Sequence, residues 1–180
     1  DAQKYHSAQA EALSKTPVDM ISAITMNYVE EAIGIARAAE AVRLPVVISF
    51  TVETNGKLPT GMSLRDAIEQ VDGNVKELPL YFMVNCAHPT HFKDELYEAK
   101  NDQWIQRIKG IRANASCKSH KELDESTELD RGNPQDLGAE HKTLKNTFNH
   151  LNVFRGCCGT DEEHVLEIAK QVKSAYMTAG

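Results

Sequence analysis

Hydrophobic positions along this chain fall into short, nearly unbroken runs separated by longer stretches of mixed polarity. The runs are VDMISAIT (18–25), LPVVISFT (44–51), LPLYFMVNC (78–86), KGIRANAS (109–116) and HLNVFRGC (150–157). A strand with one wet face alternates apolar and polar residues, so runs this continuous predict strands buried on both faces. The stretches between them carry helical periodicity. NYVEEAIGIARAAEAV (27–42) sets Val29, Ile33 and Ala36 on one stripe, with Asn27 and Glu30 spaced as a capping box. SLRDAIEQV (63–71) predicts a helix capped by Ser63 and Asp66, and HFKDELYEA and DQWIQRI predict helical turns. A long polar loop follows the fourth run, then a helix near 136–148. TDEEHVLEIAKQVKSAYM (160–177) predicts a last helix, opened by Thr160 and Glu163, with Val165, Ile168, Ala169 and Val172 as its apolar face. The chain begins with DAQKYHSAQAEALSK, a helix with Tyr5, Ala8 and Ala12 on one stripe.

Strand, crossover helix, strand is the pattern of a parallel sheet. An open doubly wound sheet and part of a (β/α)8 barrel both fit. An intact barrel takes about 250 residues and eight strands, so the barrel reading is an incomplete one, with about five parallel β/α units. The leading helix calls for a strand before it, and no methionine starts the chain, which therefore reads as the later part of something longer. No linker or low-complexity stretch divides residues 1–180, which read as a single domain.

Composition narrows the function classes. The chain has 180 residues, 41% hydrophobic and 26% charged, with a net charge of -6. That balance, without a Lys/Arg block, argues against nucleic acid or an anionic membrane as partner. No run approaches the ~18 apolar residues of a membrane span, and the N-terminus lacks the basic head and apolar stretch of a signal peptide. A cytoplasmic location follows as the expectation. The four cysteines, Cys86, Cys117, Cys157 and Cys158, are then read as reduced thiols, because a chain of this size buries a core without staples.

The unusual polar residues gather after the strands. Thr51 and Glu53 follow the second; Asn85, Cys86 and His88 the third; Asn114, Ser116, Cys117, Ser119 and His120 the fourth; Cys157 and Cys158 the fifth. In parallel α/β folds the carboxyl ends of the strands form one rim, where sites are built. Three thiolates meeting there suit Zn²⁺, with the fourth ligand position left for a substrate. Gly156 and Gly159 allow the sharp turn that lets neighbouring cysteines face one way. Two other readings stay open: buried cysteine as a small hydrophobe, and a reversible vicinal dithiol. Cys117 reads as a bystander, and His88, His91 and His120 as hydrogen-bonded structure rather than ligands. The acidic residues Glu122, Asp124, Glu125, Glu128 and Asp130 read as a solvated face.

SFTVETNGKLPTGMSLRDAI, YFMVNCAHPTHF, GIRANASCKSHKELDESTELDRGNPQDLG and NVFRGCCGTDEEH together resemble the zinc-dependent homocysteine S-methyltransferase family, over essentially the whole chain. An NC motif followed far downstream by GCCGT is highly specific. The resemblance implies a (β/α)8 barrel, represented here by strands four to eight. It implies zinc held by Cys86, Cys157 and Cys158, and methyl transfer to homocysteine to give methionine. Donors across the family include S-methylmethionine, S-adenosylmethionine, betaine and methylated folate. Asn85, Asn114, Ser116 and Thr25 are the expected substrate-binding residues of the rim. Tyr28, Phe50, Tyr81 and Phe82 either offer a face to a cationic donor or belong to the core. The chain departs from the family in three places. The early Asp-Gly-Gly segment is absent. The glutamate common after the fourth strand is replaced in its neighbourhood by Thr25, in AITMNY. Arg155 stands where another glycine usually precedes GCCGT. Sheet edges near 18–25 and 150–157 would stay unpaired, so a longer native chain or a second copy is expected to cover them. A non-catalytic zinc-thiolate fragment or degenerate relative is the alternative function, with vicinal-dithiol redox chemistry behind it.

Overall fold

The computed structural model describes residues 1–178. Five strands, β1 (Ile21–Met26), β2 (Val46–Thr51), β3 (Tyr81–Asn85), β4 (Ile108–Ala113) and β5 (Val153–Gly156), pair side by side in chain order. Every pairing is parallel, with Val47 opposite Tyr81 and Gly110 opposite Val153. The five runs thus become five strands, each shorter than its run. Pro45 and Pro79 lie just outside because proline has no amide to donate to a ladder.

Seven helices accompany the sheet: α1 (Ala2–Ser14), α2 (Val29–Ala41), α3 (Leu64–Gly73), α4 (Lys93–Glu98), α5 (His120–Asp124), α6 (Pro134–Thr147) and α7 (Glu162–Thr178). Single 3₁₀ turns at Pro89–His91 and Trp104–Arg107 account for the rest of the expected helical turns. No helix among the described residues is long and apolar enough to cross a membrane.

Alternate strand residues divide between two faces. Ile48, Phe50, Val52, Phe82, Val84, Ile111 and Ala113 join Ala32, Ile35, Leu64, Ile68, Leu96, Leu137 and Ile168 of the helices in one core. The opposite parity carries Ser49, Thr51, Met83, Asn85, Gly110 and Arg112. Phe50 and Phe82 are fully buried and stack on each other, so they are core. Helix packing adds two close pairs, α1 on α2 and α6 on α7.

Several local expectations are corrected. Helix α2 starts after Tyr28, with no side-chain cap, so the Asn27–Glu30 box does not form. Thr160 donates its hydroxyl to the Cys157 carbonyl instead of capping α7, and Asp161 accepts from the Glu163 and His164 amides in its place. The buried face of α7 is His164, Ile168 and Val172, while Val165 and Ala169 are exposed. The stripe of α1 that meets α2 contains His6, Ala10 and Leu13, and Tyr5 points outward at 80% exposure. His6 Nε2 lies 3.1 Å from Glu31 Oε1 across that contact, a pairing that alanine counting does not foresee.

Candidate metal centre

The C-terminal ends of β3 and β5 bring three sulfurs together. Cys86 Sγ lies 2.9 Å from Cys157 Sγ and 3.9 Å from Cys158 Sγ. Among the described residues these three form a group whose ligand atoms all lie within 4.8 Å of one another.

Each thiol is aimed by a specific backbone arrangement. Cys86 sits at φ +52° just past β3, where its amide still donates to the Arg112 carbonyl of β4 at 3.2 Å. Thr25, at the end of β1, adopts φ +65°. Positive φ is uncommon for any side-chain-bearing residue and an outlier for a β-branched one, so the surroundings must hold both. Asn85 does that holding. Its buried Oδ1 accepts from the Thr25 amide at 3.0 Å and the Ser49 hydroxyl at 2.5 Å, and its Nδ2 donates to Thr25 Oγ1 at 2.7 Å. Thr25 Oγ1 in turn lies 3.8 Å from Cys86 Sγ.

The Cys-Cys turn is built the same way. The Cys157 amide donates to the Ala113 carbonyl at 2.7 Å, and the Cys158 amide to Asn114 Oδ1 at 3.2 Å. Cys158 returns a carbonyl to the Ala115 amide at 3.0 Å. Gly159 takes φ +76°, and a Cβ on Gly156 would run into the Thr160 side chain. Both glycines are therefore required by the turn.

Crowding sets the order in which the thiols ionise. The hydrogen bond from Cys157 lowers the Cys86 thiol to about 7, despite its burial. The same bond, with burial, pushes Cys157 well above the usual thiol range, and burial and the neighbouring Cys157 raise Cys158. One thiolate thus forms readily, and a second and third need a positive charge among them. Zn²⁺ supplies that charge and prefers sulfur, so this donor set fits the ion.

A cavity of about 340 Å³ opens beside Cys86 and Cys158, bounded by Thr25, Thr51, Asn114 and the helix α5. That short helix is fixed by a full capping box between Ser119 and Glu122. His120 pins it to the rim, with Nε2 2.6 Å from the Cys86 carbonyl and Nδ1 3.2 Å from Glu53 Oε1. Burial works against its charge, but those two acceptors prevail and hold His120 above its ordinary pKa.

The structure sorts the remaining expected residues. Thr25 and Asn114 line the cavity, while Asn85 stands behind Thr25 as its support. Ser116 faces elsewhere, donating to Asp130 Oδ2 at 2.9 Å in the wall of a separate cavity of about 730 Å³. Cys117 lies in that second wall, 3.3 Å from His88 Nδ1, and its carbonyl pairs with His91 Nε2. Of the acidic run, Asp124 lines the thiol cavity and Glu122 closes the capping box. The expected polar loop thus contains a short helix, which the Ser-x-x-Glu spacing at 119–122 marks; the acidic residues 122, 124, 125 and 128 are exposed, as a solvated face requires, with Asp124 at the mouth of the cavity.

A parallel α/β sheet carries three clustered thiols on its C-terminal rim, beside a small, mostly apolar cavity, an arrangement compatible with a bound metal ion. The family model of homocysteine S-methyltransferase matches residues 1–172, and the chain belongs to that family. No curated protein matches it.

Proposed function

We propose that this chain is a zinc-dependent methyltransferase acting on homocysteine, with Cys86, Cys157 and Cys158 as the metal ligands. One observation carries the reading: two cysteines 71 positions apart in sequence bring their sulfurs within 2.9 Å, in a chain of the homocysteine S-methyltransferase family. The five-stranded sheet is read as an arc of a (β/α)8 barrel, strands four to eight, with its open edges covered by further chain or a second copy.

Zinc at this site supplies a Lewis acid that keeps a bound thiol ionised near neutral pH, where a free thiol of pKa about 8.5 is mostly protonated. The chain's own residues do the rest. Asn85 locks Thr25 and thereby the turn that presents Cys86, and Asn114 fixes the Cys158 backbone. Helix α5 supplies His120, Leu123 and Asp124 to the cavity wall. The homocysteine sulfur, having given up its proton, attacks the donor's methyl carbon in line. A carbon–sulfur bond forms as the donor's bond to that carbon breaks. A sulfonium donor such as S-methylmethionine or S-adenosylmethionine leaves as a neutral thioether, which needs no acid.

Elemental analysis of chain purified under reducing conditions tests the metal site. One zinc per chain is expected, with loss in Cys86→Ala. Incubating the zinc-loaded chain with homocysteine and each donor in turn, and measuring methionine, identifies the donor. Zinc without methionine from any donor supports the non-catalytic alternative. Absence of zinc from the unsubstituted chain would sink the reading.

A further inference from the structure

We propose that the free edge of β5, with Arg112 and Arg155 beside it, receives a further β-strand that carries a carboxylate, and that this strand does not come from a second copy of the same chain. This inference rests on the reading of the sheet as an open arc, and it is independent of the metal.

Three observations carry it. First, Arg112 and Arg155 are register partners on β4 and β5, and Arg112 is in turn the register partner of Asn85, so both arginines belong to the face opposite the main core. Like charges directly opposite each other destabilise a sheet. Second, neither guanidinium makes a hydrogen bond or ion pair among the described residues, and Nε of the half-buried Arg112 is shut away from solvent without a partner. A buried donor left unpaired is costly. Third, the sheet itself holds no answer to either charge. Its five strands contain Lys109, Arg112 and Arg155 but no aspartate or glutamate. Arg155 also stands where a glycine usually precedes GCCGT, so the second charge is a feature of this chain in particular.

The position of the pair defines what answers it. Among the described residues β5 pairs with β4 alone, and its outer amides and carbonyls are a template for one more strand. A strand added there lies about 4.8 Å from β5, and its residue opposite Arg155 stands on the same face. An aspartate or glutamate at that position reaches Arg155 directly and Arg112 one strand further on. A guanidinium takes a carboxylate through two parallel hydrogen bonds, so one acid relieves both the repulsion and the unpaired donor. A second copy of the chain does not meet this requirement. Its own edge strands, β1 and β5, carry no acid, and β5 against β5 sets arginine beside arginine again.

NMR titration of the purified chain with three capped seven-residue peptides tests the inference. Each peptide alternates valine and threonine about a central residue, which is glutamate, glutamine or lysine. The glutamate peptide is expected to slow hydrogen exchange at amides of Val153–Gly156. It should bind about tenfold more tightly than the glutamine peptide, the effect of one charge-assisted hydrogen bond. Arg155→Gln and Arg112→Gln should each narrow that ratio. Arg155→Glu should transfer the preference to the lysine peptide, which separates charge from packing at this exposed position. Equal binding of the three peptides, protection at β1 instead of β5, or no binding of any peptide at millimolar concentration overturns the inference. So does a dimer of the unsubstituted chain in sedimentation whose β5 amides are already slow to exchange, because the second copy is then the cover. None of these results bears on the zinc reading, which the metal content decides.

Discussion

Asn85 is the residue on which the rim geometry depends. It is fully buried and satisfies a backbone amide and two hydroxyls from the two strands before its own, Thr25 of β1 and Ser49 of β2. Asn85→Leu keeps the branched outline but leaves the Ser49 hydroxyl and the Thr25 amide without partners. Each orphaned group costs about 1–3 kcal/mol, so a loss of roughly 2–5 kcal/mol in unfolding free energy is expected. Urea denaturation measures it, and an unchanged midpoint would show that water replaces the amide. The same substitution releases the hold on Thr25 at φ +65° and, one residue on, Cys86 at φ +52°, so zinc affinity should fall as well. None of this was legible in the sequence beyond the identity of Asn85 as a rim residue. A strained backbone needs a support from another strand, and sequence spacing carries no record of that partner.

At the scale of elements, legibility followed how much competition each signal faced. Ser63 caps α3 as expected because no other capping residue lies beside it. At α7, Thr160 and Asp161 are adjacent candidates, and the Cys157 carbonyl draws Thr160 away. In α1, alanines on every side let the stripe be set on Tyr5, Ala8 and Ala12, whereas the face that packs is that of His6, Ala10 and Leu13, where His6 meets Glu31. The C-terminus of α2 shows a different kind of signal. Arg43, at φ +59°, donates its amide to the Glu40 carbonyl, and Leu44 donates to the Ala39 carbonyl. That is the Schellman arrangement, in which the left-handed residue is normally glycine. Arg43 is exposed and its side chain makes no hydrogen bond or ion pair among the described residues, so Arg43→Gly removes strain at little cost in contacts. A gain of about 0.5–1 kcal/mol is expected, offset in part by the added freedom of the unfolded chain. Thermal melting tests it, and a lower midpoint would contradict the strain argument.

For the whole molecule, the order of the sheet could be anticipated because strands joined by helical crossovers pair in parallel, and apolar runs mark where they lie. The meeting of Cys86 with Cys157 and Cys158 followed from that topology. The short helix α5 beside them did not, since it lies in a stretch that reads as a polar loop and whose charges do face solvent. Stability against pH is likewise a property of the whole fold. Burial holds His141 and His88 near about 4, so both are neutral in the folded chain at pH 7. In the unfolded chain they take up protons around the ordinary value of about 6.5. The unfolded state therefore binds more protons between these values, and stability falls as pH drops from about 6.5 towards 4, by up to about 3 kcal/mol for each group. His120, held above its ordinary value, acts in the opposite sense: its contribution is full below about 6.5 and fades as pH rises through its folded value. Two buried groups outweigh one half-exposed group. Urea midpoints at pH 7 and pH 4.5 should show the loss, and His141→Phe, whose ring can keep the edge contact with Phe154, should flatten it. A pH-independent midpoint would mean that both histidines open to solvent before the fold does.

The contact between Cys86 and Cys157 also works as a clasp on a long loop. Between them lie all of β4, α5 and α6, and β5 itself is the shortest edge strand, four residues at the end of the sheet. A metal ion gripping both sides would tie that edge to β3 across β4, and closing a loop removes freedom from the unfolded chain that depends only weakly on its length. Because the grip exists only when three strands are aligned, binding of the ion is coupled to their alignment. The amides of β5 and the start of α7 should then exchange hydrogen slowly with metal present and fray first when it is withdrawn, so that the same three sulfurs serve as the seam that keeps this end of the sheet from unzipping.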